Sequence, residues 1–188
     1  DGDIILPDNY LYTIMNDFIQ NKKLGLCSGV IANKKNNSWK VENRYNNDHA
    51  RGAIKLYSRK CFNKIGGLNE TMGWDTLDEM KILYNKFEIK IYNKIIVKQM
   101  KNTASRYKKH QYKKQGRVMY LLRYNLILLL IGSIKLAITS KSIISFCHCI
   151  IGYVNSWINK EKYIVNSEIG KFIRNHRYNN ILKKITNV

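Results

Sequence analysis

Acidic residues almost vanish from the second half of this 188-residue chain: beyond residue 88 only Glu161 and Glu168 remain, against 20 Lys+Arg. Proline occurs once, at Pro7, which excludes a Pro-rich linker or recognition tract. Cysteine occurs four times, at Cys27, Cys61, Cys147 and Cys149. No pair has the spacing of a disulfide framework or a zinc site, and the four fit a reducing compartment. Cys147-His148-Cys149 has the look of a ligand cluster, but residues two apart on a helix point to different faces. Its cysteines read better as small hydrophobes. A clean run of about 20 apolar residues, the length that spans a bilayer, is also missing. Leu126–Ile138 is too short, and Ser142–Ile158 is uncharged but includes Ser, His and Asn.

What remains is a chain of two characters. Residues 1–88 hold 13 Lys+Arg and 11 Asp+Glu, nearly balanced, whereas the rest is strongly basic. Heavy use of Asn, Lys, Ile and Tyr fits AT-rich coding, which inflates Lys without any functional reason. A neutral front and a basic back imply two jobs, the second being attraction to a polyanion or to the anionic face of a membrane.

The front half alternates strands and helices. Asp1–Leu6 reads as a strand end, and Pro7 opens a helix with Leu11, Ile14, Met15 and Phe18 at helical spacing. Leu24–Ile31 reads as a buried strand, Asn33–Asn37 as a polar loop and Ser38–Glu42 as a short strand. Arg51–Tyr57 alternates as a strand. Ser58 caps a short helix that ends at Gly66-Gly67. A helix over Thr76–Lys86 is followed by two short strands, Glu88–Tyr92 and Lys94–Val97. This is the pattern of an α/β domain with a mixed sheet. The back half reads as basic, amphipathic helices: Leu126–Ile138, Ser142–Ile158 and Ile164–Ile185. Helices lying in a membrane interface fit best, with a spanning hairpin or helices packed on the domain as alternatives.

The chemistry concentrates in Gly73-Trp74-Asp75-Thr76-Leu77-Asp78-Glu79, which sets three carboxylates and an indole at the start of a helix. The plain reading is an N-cap at Asp75 or Thr76 followed by first-turn charges. A second acidic motif, Asp1-Gly2-Asp3, lies in the strand end that precedes a proline-started helix. Such an Asp-x-Asp can hold a divalent metal by hard oxygen ligands while the metal bridges a diphosphate. The chain opens on it with no Met or signal peptide, so sequence upstream of it is expected.

The order of these stretches carries a resemblance. Asp1-Gly2-Asp3-Ile4 with Leu6-Pro7, Leu24-Gly25 through Gly29-Val30-Ile31, Arg51-Gly52-Ala53 with Lys55-Leu56-Tyr57, Arg59, Cys61-Phe62, Ile65-Gly66-Gly67-Leu68 and Gly73–Glu79 follow one another. The run resembles the family 2 glycosyltransferases of the GT-A fold and covers residues 1 to about 97. The resemblance implies a GT-A-like mixed sheet flanked by helices in 1–100, with the nucleotide-binding half upstream, and a membrane-associating region in 101–188. It also implies that this stretch alone is inactive. Asp1 and Asp3 match the metal and nucleotide-sugar motif, with Asp3 the more direct ligand to Mg²⁺ or Mn²⁺. Gln99 stands near where members often place a third ligand, a His. Asp75 matches the general base of inverting members, with Asp78 and Glu79 as competing assignments. Trp74, Arg51 and Gly52 fall on the acceptor side. Lys86 stands where Gly is usual.

The implied reaction is inverting, metal-dependent transfer of a sugar from a UDP-, GDP- or dTDP-linked donor to a hydroxyl of a glycan or lipid-linked acceptor. It would take place at the cytoplasmic face of the cell membrane, in surface polysaccharide synthesis. The competing readings are a nucleic-acid or other polyanion binder and a membrane-surface scaffold with a degenerate transferase domain. Nucleic acid is disfavoured, because the aromatics are not interleaved as stacking platforms and no nucleic-acid motif appears.

Overall fold

The computed structural model describes residues 2–35, 38–41, 49–100 and 108–186. It is a mixed α/β structure that divides into two compact units. One holds the chain up to Glu70 and from Trp74 through the last strand, and the other holds Thr71–Gly73 and the later helices.

The first unit is a mixed five-stranded sheet. Its strands are β1 (Ile4–Ile5), β2 (Leu24–Lys35), β3 (Ser38–Val41), β4 (Leu56–Tyr57) and β5 (Glu88–Gln99), in the order β1-β5-β2-β3 with β4 also on β2. Only β2 and β5 run parallel. A parallel pair with both faces covered needs apolar or small residues in succession rather than alternation, which is what Leu24–Ile31 supplies. On one face α1 (Tyr10–Gln20) helps bury Tyr10, Ile14, Cys27, Ile31 and Val97. A second cluster joins Leu26, Cys61, Ile65 and Ile82, with α2 (Arg59–Ile65) and α3 (Trp74–Tyr84) supplying the helical side chains.

Several boundaries differ from the sequence reading, and pairing between distant segments accounts for most of them. The first helix starts at Tyr10 rather than Pro7, and its inward face is Tyr10 and Ile14, while Leu11 and Met15 are more than half exposed. Asn33–Lys35 continue β2 instead of forming a loop, because they pair with Ser38–Lys40 of β3. The two strands expected over Glu88–Val97 are one, β5, whose register against β2 shifts between Ser28 and Val30. Arg51–Tyr57 is not a strand throughout. Gly52–Ile54 form a 3₁₀ turn, and only Leu56–Tyr57 pair, with Leu26 and Cys27. Gly52 packs under the indole of Trp74, where an added Cβ would lie 2.7 Å from the ring. That tertiary contact outweighs the strand alternation. The helix α2 forms as expected: Ser58 Oγ accepts from the Cys61 amide, and Gly66 ends the helix at φ 75°.

The second unit consists of α4 (Lys108–Leu121), α5 (Leu126–Ser140), α6 (Ile143–Ile158) and α7 (Ser167–Thr186). The last three fall where the apolar and basic periodicity puts them. The helices α4 and α6 cross at their glycines. A Cβ on Gly116 would stand 1.8 Å from the Cys149 carbonyl oxygen, and one on Gly152 would stand 2.0 Å from that of Lys113. Asn125 caps α5 by accepting from Leu128 N–H at 3.1 Å, and Tyr178 of α7 donates to the same oxygen at 2.9 Å. Arg123 lies 3.9 Å over the Tyr163 ring. Cys147 is exposed and Cys149 buried, so the two sulfurs do point to different faces.

Candidate functional site

The helix α3 begins at Trp74, directly after Gly73 at φ 79°, two residues ahead of the expected start. Asp75 therefore sits inside the first turn rather than capping it, where the helix dipole favours a carboxylate. The three acids then part company. The Asp78 and Glu79 side chains are 3% and 5% exposed, while Asp75 keeps 31% open.

Burying two carboxylates is costly unless they are paired and hydrogen-bonded, and the partners come from Lys55 and its neighbours. Lys55, whose side chain is 1% exposed, donates to Asp78 Oδ1 at 2.9 Å and lies 3.2 Å from Glu79 Oε1. It also donates to the Asp75 carbonyl oxygen and stands 5.5 Å from the centre of the Trp74 ring. Tyr57 donates its hydroxyl to Asp78 Oδ2, and the Glu79 amide donates to Asp78 Oδ1 at 2.6 Å. The Ala50 amide donates to Glu79 Oε1 at 2.9 Å. His49 joins the open acid to the buried ones. Its Nδ1 lies 2.8 Å from Glu79 Oε2 and its Nε2 lies 3.4 Å from Asp75 Oδ2.

The electrostatics follow from this wiring. Hydrogen bonds to Asp75 and then Glu79 raise the His49 pKa to about 9, against an opposing effect of burial. Burial alone would lift Asp75, but the hydrogen bond and charge of His49, the charge of Lys55 and the Thr76 amide hold it below the usual carboxylate range. Burial raises Asp78, and the Lys55 charge and Tyr57 hydroxyl only partly offset this. Burial and the bond to Asp78 push the Tyr57 phenol up. At neutral pH the outer part of the cluster is therefore an imidazolium beside an ionised Asp75.

Two other expected site residues, Asp3 and Gln99, lie at the β1–β5 edge. Ile4 pairs with Gln99, the Met100 amide donates to the Asp3 carbonyl at 2.8 Å, and Gln99 Nε2 lies 3.4 Å from Asp3 Oδ2. Asp1 falls outside the described residues. No group of three His, Cys, Asp or Glu that could hold a metal ion occurs among the described residues. Gln99 turns its amide nitrogen, a donor, toward Asp3, so the Asp3 carboxylate is the one hard-oxygen ligand that this pair offers to an ion such as Mg²⁺. That ion binds through one or two carboxylates and fills its shell with waters and substrate phosphates. Arg51 is half-buried at the head of the 3₁₀ turn. A separate cavity of about 650 Å³ in the same unit, walled by Lys22, Lys23, Lys60, Lys64 and Lys86, shares no residue with either cluster.

The motif order thus brings together Trp74, Asp75, Asp78, Glu79 and Gly52 in one place, and Asp3 and Gln99 in another. It missed His49, which meets Glu79, 30 positions further along the chain. No local spacing marks such a partner. Lys55 stands in the motif run Lys55-Leu56-Tyr57, where no role attaches to it.

No protein-family model matches the chain, and no curated protein matches it. The functional reading rests on motif order and on this geometry.

Proposed function

We propose that the chain carries the metal and acceptor sides of a nucleotide-sugar-dependent glycosyltransferase site of the family 2, GT-A type, acting with inversion at the anomeric carbon. The observation that carries the reading is the division of labour within Trp74–Glu79. Two acids are locked into a buried network, and the third, Asp75, is held ionised and partly open beside an indole.

Asp75 accepts the proton of the acceptor hydroxyl as that oxygen attacks, the role of a positioned general base. The Trp74 ring offers CH surface to a sugar face. Asp78 and Glu79 act behind Asp75, anchoring Lys55 and His49. Asp3, with the Gln99 amide turned to present its oxygen, would hold Mg²⁺ or Mn²⁺. When bound, such an ion supplies stabilisation of the charge that develops on a departing diphosphate. The donor class is a UDP-, GDP- or dTDP-linked sugar, and the acceptor is a glycan or lipid-linked hydroxyl.

A second observation favours placing this chemistry at a membrane surface; its cytoplasmic side comes with the family reading alone. Helix α5 leaves Leu126, Ile127, Leu130, Ile131, Ile134 and Ile138 between 38% and 72% exposed, and α6 adds Ile143, Ile144, Ile151, Trp157 and Ile158. Exposed Lys135, Lys141 and Lys160 accompany these faces. Apolar residues with cations at the rim are the composition of an interfacial helix. No described helix is long and apolar enough to cross a membrane.

Calorimetric titration of UDP, GDP and dTDP into the protein expressed from its complete reading frame tests the donor side. Mn²⁺, chelator and the Asp3→Asn variant form the arms. Binding that requires both the metal and Asp3 supports the reading. Metal-independent binding, or none, removes the donor site and leaves a membrane-surface scaffold with a degenerate transferase domain.

A further inference from the structure

We propose that His49 is a positioning residue for Asp75: a doubly protonated imidazole that fixes the base's carboxylate and keeps it ionised. The proposal rests on the transferase reading, in which Asp75 takes the acceptor proton.

Geometry carries the argument. Both ring nitrogens of His49 face carboxylate oxygens, Nδ1 at 2.8 Å from Glu79 and Nε2 at 3.4 Å from Asp75. A neutral imidazole has one N–H and can donate to only one of them, whereas the imidazolium donates to both. A carboxylate oxygen accepts, so each of the two ring nitrogens is placed to donate. The cluster's charge balance points the same way. Among the described contacts of the cluster, Lys55 is the cation set against the carboxyl groups of Asp75, Asp78 and Glu79, and burial raises Asp78.

The anchoring is asymmetric, as a positioning device requires. Glu79 is held on its other oxygen by the Ala50 amide and approached by Lys55, so the imidazole is fixed from behind. It faces forward to Asp75, whose side chain is 31% open. Among the described residues, the groups facing His49 are Asp75 and Glu79 of α3, with Lys55, Asp78 and Tyr57 behind them. A cation at Nε2 lowers the proton affinity of Asp75 and keeps it ionised through neutral pH. The cost is an upper limit, reached where His49 gives up its second proton. In the step itself the acceptor oxygen bonds the anomeric carbon as its proton passes to Asp75. The bond from that carbon to the diphosphate oxygen breaks, and its electron pair leaves with the diphosphate. His49 keeps both protons throughout.

The test is the pH dependence of kcat and KM for the unaltered protein, His49→Gln and Asp75→Asn, each expressed from the complete reading frame. The readout is release of nucleoside diphosphate from UDP-, GDP- and dTDP-linked hexoses, with water as acceptor where no sugar is supplied. The unaltered protein should lose activity as pH rises through about 9. His49→Gln should lose that upper limb, move the acidic limb upward and cut kcat by about tenfold with KM little changed. Loss of turnover in Asp75→Asn beside unaltered kcat and both limbs in His49→Gln overturns the proposal alone. Full turnover in Asp75→Asn overturns the role of Asp75 and the proposal with it. Should His49→Gln fail to fold, the His49 ring-proton NMR signal of the unaltered protein decides. Titration near pH 9 supports the imidazolium, and titration near 6.5 overturns it.

Discussion

The α/β unit buries charge and the helical unit exposes grease. In the first, Lys55, Asp78 and Glu79 are almost wholly out of water and are tolerated because each meets a partner at 2.9 to 3.2 Å. In the second, Arg117 with Glu161, at 2.7 Å, is a partly exposed pair, and Ser156 donates to the same carboxylate at 2.9 Å. Leu126, Ile127 and Ile138 meanwhile stand open at 59% to 72%. A buried ion pair is poor value for stability, since apolar replacements of similar volume often do as well or better. Its presence in one unit, next to a half-open acid, is what a site under functional constraint looks like. An exposed apolar stripe is equally poor value in water and makes sense against another surface.

The largest expected effect removes one side of the buried charge. Lys55→Met strands Asp78 and Glu79 and should destabilise the α/β unit by about 3–5 kcal/mol in urea unfolding. The matched change on the exposed face of α5, Lys135→Met, should stay within about 0.5 kcal/mol. Equal effects would erase the contrast between the units.

The helical unit has its own intolerant point. Gly152→Ala places a Cβ about where the Lys113 carbonyl oxygen stands, 2.0 Å away, and backbone cannot yield as a flexible side chain can. Forcing α4 and α6 apart should cost at least about 2 kcal/mol, read as a lower urea midpoint.

A smaller effect belongs to pH. The folded pKa of His49 is raised from its ordinary value near 6.5 to about 9. Its contribution is therefore fully present below about pH 6.5 and lost as pH rises through about 9. Stability should fall by about 1–3 kcal/mol across that window, less than the bare shift implies because the ring is partly solvated. His49→Gln should flatten that part of the curve. The Asp75 contribution runs the other way, present above its ordinary pKa and lost as pH falls below it.

The smallest effect on folding should come with a measurable effect on binding. Ile134→Ser, at a residue 50% exposed, should change urea stability by less than about 0.5 kcal/mol. Sedimentation with vesicles containing anionic phospholipid should weaken by about tenfold, the loss of one apolar anchor. Unchanged vesicle binding in this variant would detach the α5 face from the membrane reading.

The helices of both units were legible in the sequence, because they are written in local patterns. Ser58 and Gly66 frame α2 through cap chemistry, and the apolar periodicity of Leu126–Ile138 and Ser142–Ile158 places α5 and α6 within two residues at each end. What could not be read depends on contacts between distant segments. Gly52 leaves the strand pattern because Trp74 lies over it, and β5 stays whole because β2 adjusts its register. The acidic stretch at Asp75–Glu79 was conspicuous, but its sorting into two buried acids and one open one depends on Lys55, Tyr57 and His49. Those residues arrive from a different part of the chain.

The central claim is that Asp75 is the base of a sugar transfer. Its most direct test compares Asp75→Asn with the unaltered protein for metal-dependent nucleotide binding and for release of nucleoside diphosphate from nucleotide sugars. The account predicts unaltered binding and turnover reduced by at least about 100-fold, the scale of a lost general base. Turnover in Asp75→Asn equal to that of the unaltered protein would contradict it.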